Sequence, residues 1–158
     1  MSAEDLGRRV VIHTDGSCRG NPGPGGWAAI LSSYDGERLL KRKAFSGSNA
    51  FTTCNRMEML AAINALKKIK IRDRPVIVKS DSKLLIRGMT EWLPNWKANS
   101  WRKSGGGKVE NIDLWQEADR LSELHKVGWV WIGRYSDVSN KRADQLARDA
   151  SAKARAAK

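Results

Sequence analysis

Short runs of β-forming residues alternate along this chain with segments whose apolar residues recur at helical spacing. The first half contains three predicted strands, over 8–15, 27–34 and 38–45. Asp35-Gly36 predicts a hairpin turn between the second and the third of them. The period then changes, because Met59, Ile63 and Leu66 share one face of a helix predicted over 55–70. This half therefore predicts a small antiparallel sheet followed by an amphipathic helix.

The second half continues the alternation of strands and helices. It predicts strands over 75–81 and 129–132, and helices over 82–89 (ending near Gly88), around 114–124, and from an N-cap at Asn140 onward. Loops are expected over 20–26 and 46–53, and the Ala/Lys/Arg-rich end, 151–158, is expected to fray. The order predicts one α/β domain over 1–158, with its core at 8–150. Its sheet would be mixed, with an antiparallel hairpin at one side and βα units at the other.

The net charge of the chain indicates what kind of partner it binds. The 158 residues carry 29 Lys and Arg against 17 Asp and Glu, a net charge of +12. Such a balance indicates a polyanionic partner, most often nucleic acid, although a solvated basic surface is the alternative. No apolar run approaches the roughly 18–20 residues of a membrane span, and the first residues lack the apolar segment of a secretory signal. We expect no membrane contact and a cytoplasmic location.

Two cysteines, Cys18 and Cys54, are too few for a disulfide scaffold. They are expected to be free thiols without a catalytic role, in a reducing compartment. The two histidines, His13 and His125, are expected to be structural.

Four carboxylates occupy positions that the scaffold would hold fixed. Asp15 and Asp81 end predicted strands, and ligands bind outside the carboxyl ends of strands in open α/β sheets. Glu58 and Asp144 lie in the first turns of predicted helices. Each one alone suits a turn or a helix dipole equally well. Converging carboxylates repel unless a cation neutralises them, so together they predict an all-oxygen site for Mg²⁺ or Mn²⁺, where a pair of ions can clamp a phosphodiester.

Five motifs carry a resemblance to a known family. They are TDGSCRGNPGPGG at 14–26, NRMEM at 55–59, KSDS at 79–82, WLPNWK at 92–97 with Trp101 close behind, and NKRADQLA at 140–147. In order and spacing, over about 8–150, they resemble bacterial-type ribonuclease H, type 1. A lone glycine-rich loop would be a weak signal, whereas this long first motif followed by the others in order is specific.

The resemblance implies a ribonuclease H-like five-stranded mixed sheet with flanking helices. It implies endonucleolytic hydrolysis of the RNA strand of an RNA–DNA hybrid, with 3′-hydroxyl and 5′-phosphate ends. The family's metal ligands fall on Asp15, Glu58, Asp81 and Asp144. One of two Mg²⁺ ions would activate the attacking water and the other would stabilise the leaving oxygen, with Mn²⁺ as a possible substitute. Matching substrate-side positions, where the family reads 2′-hydroxyl groups, are Gly16, Asn21, Asn55 and Lys83.

The resemblance also implies a basic protrusion that holds the DNA strand. Its tryptophans, Trp92, Trp96 and Trp101, would pack a small helical subdomain. Its cations would face a phosphate backbone: Lys97, Arg102, Lys103 and Lys108. A monomer without an obligate protein partner is expected.

Two alternatives stay open. One is a non-catalytic module that binds hybrids or double-stranded RNA, against which the four intact carboxylates argue. The other is a related nuclease that acts on DNA junctions, against which the continuous first motif and the Trp-rich protrusion argue.

Some positions depart from the family's pattern. Cys54 stands where Asn is common, and Lys83 where Gln is common. The loop over 132–140 contains no His, although the family usually has one there that helps proton transfer or product release. Arg134 or Tyr135 takes the matching place. Since neither side chain titrates near neutral pH, slower turnover is expected rather than inactivity.

Overall fold

The structure, a computed structural model, describes residues 7–70, 72 and 74–156. Within these residues the strands are β1 (Arg8–Cys18), β2 (Gly23–Asp35), β3 (Arg38–Thr52), β4 (Val76–Ser80) and β5 (Val127–Trp131). The helices are α1 (Cys54–Lys68), α2 (Lys83–Arg87), α3 (Leu93–Ala98), α4 (Ile112–His125) and α5 (Val138–Ala156). A π-helical turn, Gly88–Trp92, joins α2 to α3.

The strands form one mixed sheet in the order β3-β2-β1-β4-β5. The pairs β1–β2 and β2–β3 are antiparallel, whereas β1–β4 and β4–β5 are parallel. The predicted mixed sheet with a hairpin at one side is confirmed. Because β1 and β4 are parallel neighbours, their carboxyl ends meet at the same edge of the sheet, and that edge is where ligands bind in such folds.

Helices α1 and α5 cover opposite faces of this sheet. Successive residues of a strand point to opposite faces. A Cβ on Gly25 would meet the side chain of Met57 in α1, whereas a Cβ on Gly26 would lie 2.4 Å from the Ala147 carbonyl oxygen in α5. The sheet and helices α1 and α4 enclose the main core, whose fully buried members include Ile12, Ile63, Leu66 and Val78. Burial of each such side chain contributes roughly 1.5–3 kcal/mol.

The first three strands are longer than predicted, and β1 continues to Cys18. β2 begins at Gly23 and β3 continues to Thr52, so much of the loop predicted over 20–26 and most of the one over 46–53 belong to the sheet. Gly25 pairs with Asn49 and Gly26 with Ser48. Small and polar residues here are held by backbone hydrogen bonds between strands, and hydrophobic alternation cannot reveal such pairing.

The last helix begins earlier and ends later than predicted. α5 starts at Val138, and Asp137 takes the capping role predicted for Asn140, because its Oδ1 accepts a hydrogen bond from the Asn140 backbone N–H at 2.7 Å. Asp144 therefore lies in the second turn of the helix and not in the first. The fraying expected for 151–158 is wrong over 151–156, since Ser151 and Ala154 are buried. Ala157 and Lys158 lie outside the described residues.

The helix predicted to end near Gly88 continues beyond it. The chain stays helical through the π-helical turn and α3 as far as Ala98. Gly88 is needed for close packing instead, because a Cβ there would lie 2.1 Å from a ring atom of Trp115 in α4. None of the helices in the described part of the chain has the length and hydrophobicity of a transmembrane segment. The expected cytoplasmic location stays a prediction.

Cys18 and Cys54 form a disulfide, so the expectation of two free thiols is wrong in this structure. Their Cα atoms lie 5.4 Å apart across a sequence separation of 36, within the range that a disulfide spans. The hairpin of β2 and β3 creates this approach, because it returns the chain so that α1 begins beside the end of β1. A count of two cysteines carries no information about that topology.

Reduction of the disulfide is expected to lower the free energy of unfolding by about 3–4 kcal/mol, because it releases a closed loop that restricts the unfolded chain. Urea unfolding with and without a dithiol reductant measures the change. The double variant Cys18→Ser, Cys54→Ser should match the reduced protein and should not respond to reductant. Equal midpoints for the oxidised and reduced wild type would contradict the prediction.

Candidate active site

Three carboxylates converge where the parallel pairing of β1 with β4 ends; Asp15, predicted to end its strand, lies inside β1, which continues to Cys18. One oxygen from each of Asp15, Glu58 and Asp81 lies within 4.8 Å of the others. The sheet register produces the first pair, because Thr14 of β1 pairs with Ser80 of β4 and an aspartate follows each of them. Helix α1 crosses this edge and adds Glu58. The cluster therefore follows from two parallel neighbouring strands and one covering helix.

Gly16 permits the close contact between β1 and α1. A Cβ at this position would lie 2.6 Å from the backbone nitrogen of Glu58, so any larger residue would push the helix away. The Gly16 backbone N–H donates a hydrogen bond to Asp15 Oδ1 at 2.9 Å. The glycine thus brings Glu58 to the cluster and orients the Asp15 carboxylate.

Burial raises the pKa values of all three carboxyls, and the charge of a neighbouring carboxylate adds to the increase at each of them. Burial, the charge of Asp81 and a hydrogen bond with Asp144 raise the pKa of Asp15 to about 7. Burial and the charge of Asp15 raise the pKa of Glu58 well above its usual value. Burial also raises the pKa of Asp81, although the charge of Arg134 opposes this. The cluster is therefore short of positive charge.

Asp144 lies at the edge of this cluster, on α5. Its hydrogen bond with Asp15 joins it to the other carboxylates. Its Oδ2 lies 3.0 Å from Arg148 Nε, and its Oδ1 lies 3.9 Å from Arg134 Nη2. The structure thus brings the four predicted carboxylates together, three in a compact group and the fourth beside two arginines.

The donor set fits a divalent cation. Glu58 Oε2 is buried and has no hydrogen-bond partner among the described residues. An unsatisfied buried acceptor costs about 1–3 kcal/mol, and a cation at the cluster would satisfy it. Carboxylate oxygens alone, without nitrogen or sulfur ligands, suit Mg²⁺ or Mn²⁺.

The predicted substrate-side residues lie beside the carboxylates in the chain. Asn55 is the second residue of α1, and Lys83 begins α2, where its Nζ lies 5.3 Å from the centre of the Trp131 ring. Asn21 Oδ1 accepts a hydrogen bond from the Cys54 backbone N–H at 3.3 Å. Asn21 therefore holds the turn after β1 against the start of α1. The substrate contacts of these residues, and of Gly16, stay predictions.

The loop without histidine places Arg134 nearer to the carboxylates than Tyr135. The charge of Arg134 acts on Asp81 and Asp144. Tyr135 has a left-handed backbone (φ 59°), and its hydroxyl accepts a hydrogen bond from Arg148 Nη2 at 2.7 Å. Of the two candidates for the place of the family's histidine, Arg134 is thus the one whose charge reaches the acidic cluster.

The protrusion packs around its tryptophans as predicted. The ring centre of Trp96 lies 6.0 Å from that of Trp92 and 5.3 Å from that of Trp115 in α4. Trp101 packs, partly buried, against the main core. The rings therefore attach this segment to the domain.

One of the four protrusion cations is paired inside the protein. Lys97 Nζ lies 3.2 Å from Asp119 and 2.8 Å from Glu123, both in α4. Lys97 is itself exposed, but its charge is shared with these two carboxylates, so less of it is available for the predicted contact with a phosphate, which stays a prediction. The other three, Arg102, Lys103 and Lys108, are exposed.

Arg148 belongs to the site and was missed at the level of sequence. It follows Asp144 by four residues on α5, the spacing at which helical side chains of opposite charge pair. That spacing was the available signal.

The two histidines are structural as expected. Burial lowers the pKa of His13, whose Nε2 lies 3.0 Å from Asp137, and burial also lowers the pKa of His125.

Comparison with known proteins gives consistent matches over nearly the whole chain. The RNase H family profile matches residues 7–152. Ribonuclease H of Maricaulis maris is 48% identical over 147 residues, which cover 92% of this chain and 95% of that protein. Ribonuclease H of Rhodopseudomonas palustris (strain BisB5) is 48% identical over 149 residues, which cover 94% and 95%.

Two solved structures have the same fold. LC9-RNase H1, a type 1 RNase H with the type 2 active-site motif, superimposes with a TM-score of 0.80 at 29% identity and covers 93% of this chain and 74% of that one. LC11-RNase H1 in complex with RNA/DNA hybrid gives a TM-score of 0.64 at 28% identity, with coverage of 92% and 98%.

The five-stranded mixed sheet with an acidic cluster at its carboxyl edge is the architecture of type 1 ribonucleases H. The chain belongs to the ribonuclease H family. It is therefore an endoribonuclease, a phosphodiester hydrolase of a family that acts on the RNA strand of hybrids and uses divalent metals.

Asp15→Asn is expected to stabilise the metal-free protein above neutral pH. A carboxyl with a raised pKa holds its proton more tightly in the folded than in the unfolded state, so it opposes folding as pH rises from about 4 through about 7. In EDTA at pH 8 the variant's free energy of unfolding should exceed that of wild type by about 1–3 kcal/mol, and the excess should shrink toward pH 4.

Urea unfolding in EDTA at both pH values measures this difference. Glu37→Gln, the same kind of change in the exposed hairpin turn, should stay within about 0.5 kcal/mol of wild type. If Asp15→Asn is less stable than wild type at pH 8, the charged Asp15 carboxylate does not destabilise the metal-free protein and the prediction is wrong.

Proposed function

We propose that this chain hydrolyses the RNA strand of RNA–DNA hybrids endonucleolytically, by two-metal-ion catalysis, and leaves 3′-hydroxyl and 5′-phosphate ends. The observation that carries the proposal is the convergence of Asp15, Glu58 and Asp81 in one group, with Asp144 at its edge. An acidic centre within a chain of net charge +12 suits a polyanionic substrate that is cut at a metal-loaded site.

Two Mg²⁺ ions would be held by the four carboxylates, with Mn²⁺ as a possible substitute. When bound, such a pair supplies activation of the attacking water and stabilisation of the leaving oxygen. Asp15 neighbours each of the other three carboxyls, so we expect its replacement to affect the whole set. Asn140 and Arg134 both favour the charged form of Asp81, which keeps that side chain ready as a ligand.

Arg134 supplies positive charge where relatives usually carry a histidine. A guanidinium stays protonated near neutral pH, so Arg134 cannot move a proton and would instead hold a phosphate oxygen. General acid–base catalysis is typically worth 10²–10⁴-fold, and turnover below that of His-bearing relatives is expected because the loop cannot provide it.

The hybrid would lie across the carboxyl edge of the sheet. A relative with the same fold, LC11-RNase H1, has been solved in complex with RNA/DNA hybrid. The residues expected beside the RNA strand are Gly16, Asn21, Asn55 and Lys83, where the 2′-hydroxyl distinguishes RNA from DNA. Arg102, Lys103 and Lys108 would contact phosphates of the DNA strand. We expect the protein to act as a monomer.

Asp15→Asn, Glu58→Gln and Asp81→Asn should each reduce cleavage of a labelled RNA–DNA hybrid by roughly 10³-fold or more. Binding of the hybrid should survive, because the amides remove charge and keep shape. Glu37→Gln, which changes an exposed residue at the other end of the sheet, should cleave like wild type. Near-wild-type rates in two of the three variants would make the metal assignment wrong.

Parallel assays of the wild type test the alternative of a non-catalytic binding module. Labelled hybrid, double-stranded RNA and double-stranded DNA are incubated with and without Mg²⁺. We expect cleavage of the hybrid alone, and only with the metal. A wild type that binds the hybrid without cutting it under any of these conditions would support the binding module instead.

Replacement of Arg102, Lys103 and Lys108 together by Ala should flatten the salt dependence of hybrid binding. The log–log slope should fall by roughly 0.7–0.9 per lost phosphate contact, while cleavage at saturating substrate changes much less. Lys97→Ala is the matched control, because it removes a cation of the same segment that is paired with α4. Its salt slope should equal that of wild type. Binding isotherms at several NaCl concentrations measure both, and an unchanged slope in the triple variant would remove the protrusion from the binding surface.

A further inference from the structure

A second, basic cavity lies beside the acidic cluster. It has a volume of about 450 Å³ and is lined by residues 16–19 at the end of β1 and by Arg134, Asp144, Arg148 and Ser151. We name it the arginine pocket, after Arg19, Arg134 and Arg148. It shares Asp144 with the acidic group but is not lined by Asp15, Glu58 or Asp81.

The arginine pocket carries more positive charge than its own carboxylate can neutralise. Three guanidinium groups line it, against Asp144 alone. Arg134 and Arg148 both lie near that carboxylate. Arg19 is exposed and forms no salt bridge within the described part of the chain. A cavity with this surplus of fixed positive charge attracts an anion.

Arg148 is already oriented for such a ligand. Its Nε lies 3.0 Å from Asp144 Oδ2, and its Nη2 donates a hydrogen bond to the Tyr135 hydroxyl at 2.7 Å. A guanidinium has five N–H donors, so these two contacts hold the group in place and leave other donors free. Because its position is fixed in advance, Arg148 would lose little conformational freedom when it binds a phosphate.

The position of the arginine pocket identifies which phosphate it would take. The acidic cluster marks where the strand would be cut, and the arginine pocket begins at Gly16 and Asp144, which flank that cluster. An anion in the pocket would therefore lie next to the reacting phosphate and not on it. The anion that a nucleic acid strand repeats at short intervals is its own phosphodiester.

We propose that the arginine pocket binds the phosphodiester of the RNA strand adjacent to the one that is cleaved, through Arg19 and Arg148. The inference rests on the proposed function and adds to it a contact that fixes how the RNA strand is held at the cut. Arg148 supplies N–H donors whose orientation is already fixed. Arg19 supplies a positive charge that no carboxylate of the pocket neutralises. Arg134 contributes to both the pocket and the acidic cluster.

The test combines protein variants with neutralised phosphates. Hybrids are made in which one RNA linkage at a time is a methylphosphonate on a 2′-O-methyl nucleotide. The reference for each has the same 2′-O-methyl group and an ordinary phosphate. Single-turnover kcat/KM is measured for wild type, Arg19→Gln and Arg148→Gln. If an arginine substitution and a methylphosphonate have non-additive effects on the free energy derived from kcat/KM, that arginine and that phosphate are in contact.

One methylphosphonate, adjacent to the cleaved linkage, should slow wild type by about tenfold or more, since a charge-assisted contact is lost. The same substrate should slow Arg19→Gln and Arg148→Gln by less than about twofold, because these variants lack the contact already. Arg38→Gln is the matched control for the loss of one arginine. It lies beside the hairpin turn, about 23 Å along the sheet from Asp15, and should behave like wild type at every linkage.

Arg19→Gln is the decisive variant, because Arg148→Gln also removes a partner of Asp144. If the effects of Arg19→Gln and of each methylphosphonate multiply at all RNA linkages, the proposal is overturned, while cleavage of the hybrid itself upholds the proposed function. Non-additivity confined to the DNA strand would overturn it as well. Binding affinities in an Asp81→Asn background provide the second measurement. Non-additive binding by a protein whose parent cuts nothing would support the arginine pocket and reject the proposed function.

Discussion

The burial of three neighbouring carboxylates is the constraint around which this molecule is organised. Asp15, Glu58 and Asp81 are brought together by two neighbouring parallel strands and by the helix that covers them. Burial raises the cost of ionising each of them. The charge of Asp81 adds to that cost at Asp15 and Glu58, and the charge of Asp15 adds to it at Glu58. Strand β1 holds Asp15 at the centre of the sheet, with β2 on one side and β4 on the other. The ionised carboxylates that a metal site requires therefore destabilise the metal-free fold.

The surroundings of the cluster supply part of the missing positive charge. Arg134 and Arg148 reach Asp144 from a loop and from the helix itself. Both are arginines, whose charge does not depend on pH in the working range. Further from the cluster, the exposed cations of the protrusion extend the same field along the surface. The result is an acidic site surrounded by a basic surface. The basic surface attracts a polyanion, and the carboxylate cluster binds cations.

The central arrangement could be predicted from the sequence because it depends on local rules. Asp81 directly follows β4, and Asp15 directly follows the residues of β1 that pair with β4, so the parallel pair brings both to one edge. The change of period after the hairpin located α1 and hence Glu58. What could not be predicted depends on long-range geometry. The disulfide exists because a hairpin returns α1 to β1, and the lengths of β2 and β3 come from pairing between glycine- and serine-rich segments. The ion pairs of Lys97 with α4 likewise join residues more than twenty positions apart.

Gly26 links the far face of the sheet to catalysis. Its missing side chain lets α5 rest directly on β2, at Ala147 and Ser151. Asp144 lies one turn of the same helix before Ala147. A methyl group at Gly26 would clash with the backbone of α5 and displace the helix from the sheet. Because α5 is continuous, Asp144 would be displaced with it. The spacing between sheet and helix at Gly26 therefore helps to set the position of Asp144 in the active site.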